Sequence, residues 1–102
     1  MHIEINHDNH IQYDESVERH VRQTLDTALS RYADQVTRIE VHLHDKNAER
    51  RGANDRHCLL EAKVEGRPPV AASDDADTIG AAISGAAKKL QRRLNSDLSR
   101  LH

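Results

Sequence analysis

Aromatic residues are nearly absent from this chain. It contains neither Phe nor Trp, and Tyr13 and Tyr32 are its only tyrosines. A hydrophobic core must therefore be aliphatic, built from Ile, Leu, Val and Ala. For the same reason we do not expect an RNA-binding sheet that stacks bases on aromatic rings.

The chain also has little cysteine and no long apolar run. Cys58 is the single cysteine, which excludes an internal disulfide and fits a reducing cytoplasm. No segment approaches the roughly 20 apolar residues that cross a bilayer. Residues 1–9 are polar and charged, so we expect no signal peptide. The sequence predicts a cytoplasmic protein with one domain over residues 1–102.

Neither sign of charge dominates the sequence as a whole. The 17 acidic and 15 basic residues give a net charge of −2 at pH 7 with neutral histidines, which argues mildly against bulk binding to nucleic acid. The distribution is uneven, since residues 1–37 carry seven acidic and three basic side chains and residues 88–102 carry one acidic and five basic. A local basic patch can attract a polyanion despite the total.

Hydrophobic periodicity predicts the element order β-α-β-β-β-α. The predicted strands are His2–Asn6, Arg38–His44, His57–Glu65 and Val70–Ser73. The first helix begins at a cap on Asp14 or Ser16 and ends near Ala33, and the second helix follows Ser73. Pro69 suggests that the fourth strand lies at a sheet edge. We expect an α+β two-layer sandwich, with two helices packed on one face of a four-stranded sheet.

The last quarter of the chain is the most informative segment. Its apolar residues recur at helical spacing, namely Ile79, Ala82, Ile83, Ala86, Leu90, Leu94, Leu98 and Leu101. Three acidic residues (Asp74, Asp75 and Asp77) precede two basic pairs (Lys88-Lys89 and Arg92-Arg93). Acid near the start of a helix and base toward its end suit the helix dipole, so one face can seal the core while another offers cations to a partner.

Several apolar patterns together resemble one known family. They are Ile3-x-Ile5, Val17…Val21…Leu25…Leu29-x-x-Tyr32, Val36-x-x-Ile39-x-Val41-x-Leu43 and Ala81-Ala82-Ile83-x-Gly85…Lys89-Leu90-x-Arg92-x-Leu94. In this order the chain resembles a divergent member of the ribosome hibernation-promoting factors, also called ribosome-associated inhibitors or sigma-factor modulation proteins.

The resemblance implies both a fold and a function. It implies the same β-α-β-β-β-α domain, binding to ribosomal RNA of the small subunit in the channel for messenger and transfer RNA, and inhibition of translation during stress or stationary phase. The chain ends at His102 without the C-terminal dimerisation domain of long members, so it resembles the short form. The sequence leaves the oligomeric state open.

Two basic groups are candidate RNA contacts. The first comprises Lys88, Lys89, Arg92 and Arg93 on the last helix, and the second comprises Lys46, Arg50, Arg51 and Arg56 in a polar loop predicted over residues 45–56. Cations at this density suit phosphates, and arginine can bind one phosphate with two hydrogen bonds. The resemblance favours Lys89 and Arg92 most, because these two match the family pattern.

Histidine is abundant, with eight residues. His42 and His44 should lie on one exposed strand face, where His2 and His57 could join them, and imidazoles can bind zinc or nickel. No closed metal signature accompanies them, so they are only weak metal candidates. Cys58 should point inward as a small apolar residue. No catalytic motif, cofactor site or small-molecule site is apparent, and we expect no enzyme.

Two other functions remain open. The net charge of −2 and the absence of lysine from residues 23–28 of the first helix favour a protein-interaction module that has lost ribosome binding. The histidine face leaves a metal-binding protein as a further alternative.

Overall fold

The predicted element order is confirmed. The structure is a computed structural model that describes residues 1–46 and 55–99. Its elements are β1 (His2–His7), α1 (Glu15–Leu29), a 3₁₀ turn (Ser30–Tyr32), β2 (Val36–Asp45), β3 (Arg56–Val64), β4 (Val70–Ala76) and α2 (Ile79–Ser99). None of the helices in these residues has the length and hydropathy of a membrane span.

The four strands form one mixed sheet in the order β1-β2-β3-β4. β1 pairs with β2 in parallel, whereas β2–β3 and β3–β4 are antiparallel. Parallel neighbours need a crossover connection, and α1 supplies it. α2 packs against β3, β4 and α1, so the sheet and the two helices form the expected α+β sandwich. β4 is an edge strand, as Pro69 suggested.

The core is aliphatic, as the composition required. Alternate residues of the strands face the helices, and the largest fully buried side chains include Leu25, Ile39, Leu60, Ile83 and Leu90. Burial of such side chains contributes roughly 1.5–3 kcal/mol each. Since these residues come from both helices and from the two central strands, one cluster fixes both layers.

The first helix is capped as predicted but ends earlier. Asp14 has extended backbone angles, and its Oδ1 accepts a hydrogen bond from the Val17 amide at 3.0 Å. The helix ends at Leu29, and a 3₁₀ turn replaces the last predicted turn. The turn carries the buried Tyr32, whose hydroxyl donates to Asn95 Oδ1 of α2. The tighter turn thus joins the end of α1 to the far half of α2.

The second helix begins later than predicted, and Asp74 and Asp75 lie in β4 instead of at its start. β4 continues to Ala76, and Asp74 and Asp75 pair in register with Cys58 and His57 of β3. α2 begins at Ile79 without an acidic residue in its first turn, and Thr78 caps it by accepting the Ala81 amide at 3.1 Å. These carboxylates therefore belong to the sheet, where they meet cations, rather than to the helix dipole.

A tight turn joins β3 to β4 and anchors the end of α2. Gly66 has φ of 73°, a conformation that favours glycine, and the Arg67 amide donates to Val64 O at 3.1 Å. The Arg67 guanidinium also donates to Asp97 O of α2 at 3.0 Å. The turn therefore positions the C-terminal half of the helix whose other surface carries the candidate cations.

Candidate nucleic-acid interface

Three of the four predicted α2 cations are exposed and have no carboxylate partner among the residues that the structure describes. Lys88 and Arg92 lie four residues apart, one turn along the helix, and Arg93 follows. No ion pair joins any of the three to another residue of the described ranges 1–46 and 55–98. We call Lys88, Arg92 and Arg93 the free cations of α2. They can approach a polyanion without first breaking an ion pair to these residues.

Lys89, the fourth predicted cation, has a partner. Its Nζ lies 2.8 Å from Asp74 Oδ1 on β4. The Lys89 side chain is 52% exposed and that of Asp74 is 26% exposed. Gly85 makes this contact possible, because a Cβ on Gly85 would lie 1.8 Å from Asp74 Oδ2. The Asp74 carboxylate thus rests against the backbone of α2 in the space that a side chain would fill.

A groove of about 440 Å³ between the helices has Lys88 among its lining residues. Its polar lining comes from Gln23, Thr24 and Thr27 of α1 and from Ser84, Lys88 and Gln91 of α2. Hydroxyl and amide groups are common donors to phosphate and sugar oxygens. The surface beside Lys88 is therefore a mainly apolar groove with some neutral hydrogen-bonding groups among its lining residues.

The second predicted basic group is only partly described. Lys46 Nζ lies 3.0 Å from Asp75 Oδ2, and Arg56 Nη1 lies 3.8 Å from Asp45 Oδ2. Arg50 and Arg51 lie outside the described residues. Because Asp74 and Asp75 are consecutive in a strand, their side chains point to opposite faces of the sheet. Lys89 and Lys46 therefore meet β4 from opposite sides.

Three of the four candidate histidines each contact a different carboxylate. His42 Nε2 lies 3.0 Å from Glu61 Oε1, and His44 Nδ1 lies 2.8 Å from Asp8 Oδ2. His57 Nδ1 lies 2.6 Å from Asp75 Oδ1. Within the described part of the chain, no three His, Cys, Asp or Glu side chains are grouped so that they could hold a metal ion.

The remaining charges on the outer side of the sheet are compensated as well. We call this surface, formed by the outward side chains of β1–β4 together with Asp8 and Lys46, the outer sheet face. Arg38 contacts Glu4 and lies 3.8 Å from Glu40 Oε1, and Lys63 Nζ lies 3.5 Å from Glu40 Oε2. Lys46 and His57 share Asp75, and this contact lowers the pKa of the Asp75 carboxyl, first through the His57 hydrogen bond.

The Asp8 carboxylate accepts hydrogen bonds from three backbone amides, a role that the sequence did not predict. Its Oδ1 accepts the amides of His10 and Ile11 at 2.9 and 3.0 Å, and its Oδ2 accepts the Asp45 amide at 3.0 Å. Partial burial opposes ionisation, but these backbone donors and His44 outweigh it and lower the pKa of the Asp8 carboxyl. Asp in a turn commonly accepts nearby amides, so the contacts to residues 10 and 11 had a sequence signal. The contact to Asp45 had none.

Cys58 is buried, as predicted from its inward strand position. Burial, assisted by the negative charge of Asp74, raises the pKa of its thiol to about 12. A reactive cysteine needs a thiolate in a partly exposed, electropositive setting. Cys58 has the opposite environment and packs as part of the core.

Comparisons with known proteins agree with this architecture. Two solved structures share it: a ribosomal subunit interface protein from Coxiella burnetii and the N-terminal domain of Thermus thermophilus Protein Y. The match to the Coxiella burnetii protein has a TM-score of 0.78 at 15% identity and covers 97% of this chain and 99% of that protein's chain. The second has a TM-score of 0.75 at 18% identity and covers 94% and 98%. At such identities the likeness establishes the fold.

Sequence comparison identifies the family. No curated protein matches the chain. The family model described as "Sigma 54 modulation protein / S30EA ribosomal protein" matches residues 3–102. The chain therefore belongs to the sigma 54 modulation protein / S30EA ribosomal protein family, whose members associate with the ribosome.

Proposed function

We propose that this protein binds ribosomal RNA of the small subunit, in the channel for messenger and transfer RNA, and thereby inhibits translation during stress or stationary phase. The observation that carries the proposal is the set of free cations on α2, in a chain whose family is ribosome-associated. These three side chains are exposed on a helix that the core holds in place.

The free cations suit phosphate binding. A cation that pairs with a phosphate releases condensed counterions, so the logarithm of the binding constant falls by about 0.7–0.9 per phosphate for each unit of log salt. The guanidinium groups of Arg92 and Arg93 can each bind a phosphate with two hydrogen bonds. The neutral groups of the groove that Lys88 lines can contact sugars and phosphates beside that lysine.

The remaining predicted cations take secondary roles in this proposal. Lys89 reaches a phosphate after leaving Asp74. Lys46, which pairs with Asp75 on the opposite face of β4, and Arg56, which pairs with Asp45, stay paired and lie outside the α2 site in this proposal. Arg50 and Arg51, which lie outside the described residues, remain predicted assistants.

Ribosome co-sedimentation at low salt tests the proposal. We expect the protein to pellet with small subunits and the Lys88→Ala/Arg92→Ala variant to lose roughly 10- to 100-fold in affinity, with a salt slope lower by about one to two. The matched control is Lys63→Ala/Arg38→Ala, which removes two cations from the outer sheet face and should change affinity less than threefold. Absence of the wild-type protein from the pellet would refute ribosome binding, and equal losses in both variants would refute the α2 site.

A translation assay tests the inhibitory part. Added wild-type protein should reduce synthesis from a reporter messenger RNA, and the Lys88→Ala/Arg92→Ala variant should do so only at correspondingly higher concentration. Binding without inhibition would place the protein on the ribosome but outside the proposed channel.

A protein partner is the second candidate function. The exposed acidic residues of α1 (Glu15, Glu18 and Asp26) favour it, because they repel a phosphate-rich surface. Recovery of one stoichiometric protein partner after nuclease treatment, without ribosomal co-sedimentation, would support this alternative.

A further inference from the structure

The contact between Asp74 and Lys89 distinguishes one α2 cation from the other three. Asp74 pairs in register with the buried Cys58, so its side chain leaves β4 on the inner face of the sheet. There it meets α2 from the side, and its carboxylate contacts the ammonium of Lys89 at 2.8 Å. A strand residue thus places a negative charge inside the basic group of the helix.

Gly85 fixes the position of that negative charge. A Cβ on Gly85 would lie 1.8 Å from Asp74 Oδ2 and 2.7 Å from Cγ, distances that no side chain could occupy. Gly85 and Lys89 are four residues apart and therefore lie on the same side of α2. Because Gly85 has no side chain, the Asp74 carboxylate can lie against it. The same carboxylate forms the ion pair with Lys89, one turn further along α2.

We infer that Asp74 is an internal competitor of RNA phosphate for Lys89, and that it sets the affinity of the α2 surface for polyanions. The inference rests on the proposed function and names a residue that regulates the same site. An ion pair between partly exposed groups is weak, so Lys89 can exchange one anion for another. Asp74 stays in place after the exchange, held against the backbone of α2, and repels the arriving phosphate.

Two consequences follow for the cations of α2. Lys88, Arg92 and Arg93 form no ion pair with the described residues and contribute fully to the salt dependence of binding. Lys89 contributes less than a free lysine, although it matches the family pattern. Removing the charge of Asp74 while keeping its shape should release Lys89 for phosphate.

The test compares Asp74→Asn with Asp75→Asn. Both substitutions remove one negative charge from β4, but Asp75 lies on the opposite face and pairs with His57 and Lys46. The probes are a 20-nucleotide oligouridylate and purified small subunits, each titrated over a series of salt concentrations. We expect Asp74→Asn to tighten oligouridylate binding about three- to tenfold at low salt and to steepen the salt slope by about 0.7, the value for one more phosphate of a single strand. Asp75→Asn should change the affinity less than threefold and leave the slope unchanged.

Repeating both substitutions in a Lys89→Ala background isolates the competition. There Asp74→Asn should have no larger effect than Asp75→Asn, because the lysine for which Asp74 competes is gone. Equal effects of the two substitutions in the wild-type background would overturn the inference, as would an Asp74→Asn effect that persists without Lys89. Failure of the Asp74→Asn variant to bind oligouridylate at any salt concentration would overturn it as well.

The two probes separate this inference from the proposed function. If the Asp74 effect appears with oligouridylate while no variant binds small subunits, the competition stands and ribosome binding is refuted. If small subunits bind but Asp74→Asn and Asp75→Asn behave alike on both probes, the proposed function stands and the inference fails. Far-UV circular dichroism and the urea midpoint of each variant show whether the fold is retained.

Discussion

The exposed side of α2 and the outer sheet face use the same kinds of residue in opposite ways. On the outer sheet face Arg38, Lys63 and Lys46 each lie within 4 Å of a carboxylate. On α2, Lys88 and Arg92 have no such partner in the described part of the chain. The net charge of −2 therefore does not describe either surface. The charges of the outer sheet face pair with one another, whereas those of Lys88 and Arg92 are available to a partner.

Strand geometry accounts for much of this difference. Diagonally related residues on neighbouring strands lie about 7–8 Å apart, within reach of long side chains. Arg38 therefore meets Glu4, and Lys63 meets Glu40, although the register places Arg38 opposite Lys63 and Glu4 opposite Glu40. On α2 the residue one turn away from Lys88 is another cation, Arg92, and like charges at this spacing destabilise a helix by a few tenths of a kcal/mol. The fold does not benefit from this pair, which is consistent with use by a partner.

The largest expected effect tests whether the outer sheet face holds the fold together. Asp8→Ala should lower the free energy of unfolding by about 2–3 kcal/mol, because three backbone amides lose their acceptor. Lys88→Ala and Arg92→Ala should each change it by less than about 0.5 kcal/mol. Urea unfolding at pH 7 measures all three, and an Asp8 variant as stable as the α2 variants would remove the distinction between the surfaces.

The pH dependence of Asp8 follows from its lowered pKa. Stabilisation by this carboxylate is complete well above the ordinary Asp pKa of 3.8 and is lost as the pH falls through the lower pKa of the folded state. The wild-type protein should therefore lose its advantage over Asp8→Ala on acidification below about pH 4. Asp8→Asn, which keeps one acceptor oxygen, should be intermediate at pH 7 and should not share this pH dependence.

We expect an intermediate loss of stability from a substitution at the contact between α2 and Asp74. Gly85→Ala should cost about 1 kcal/mol in the free energy of unfolding despite the better helix propensity of alanine, because its Cβ displaces the Asp74 carboxylate. Gly80→Ala is the matched control. Its Cβ would lie 3.8 Å from His20 Nε2, an ordinary contact, so the substitution should be neutral or stabilising by up to about 1 kcal/mol. Thermal unfolding of both variants decides this, and equal shifts would show that Asp74 is easily displaced.

We expect the smallest loss of stability from removing an exposed carboxylate that pairs with two residues of the outer sheet face. Asp75→Asn removes the carboxylate shared by Lys46 and His57 and should cost less than about 1 kcal/mol at pH 7, since exposed ion pairs contribute little. Because the pKa of Asp75 is lowered in the fold, the difference from wild type should shrink as the pH falls below about 4. Urea unfolding at pH 7 and pH 3 measures it, and a loss as large as that of Asp8→Ala would mean that exposure does not weaken this bridge.

The sequence predicted the element order and the core because both depend on local periodicity. Val21, Leu25 and Leu29 recur at helical spacing, and Ile39 and Val41 alternate, so their burial was readable. The residue at which β4 ends could not be predicted in this way. Carboxylates just before a helix are as compatible with the helix dipole as they are with an edge strand. Only pairing with β3 decides between the two.

The sequence predicts which residues are exposed at the candidate site, but not which residues of other elements contact them. The exposure of Lys88 and Arg92 followed from their place opposite the apolar stripe. The Asp74 partner of Lys89 comes from another element and depends on the missing side chain of Gly85. No pattern within α2 marks this contact, so the sequence favoured Lys89 as an RNA contact without indicating its competitor.

The burial of Cys58 has a practical consequence for measuring these surfaces. Because burial raises the pKa of the Cys58 thiol to about 12, the thiol stays protonated at pH 8, and the core shields it from reagents. A cysteine placed at Arg93 or Lys63 would then be the single reactive thiol of the folded chain. Spectroscopic probes could be attached to either surface without first removing the native cysteine, and each would report which surface a partner covers.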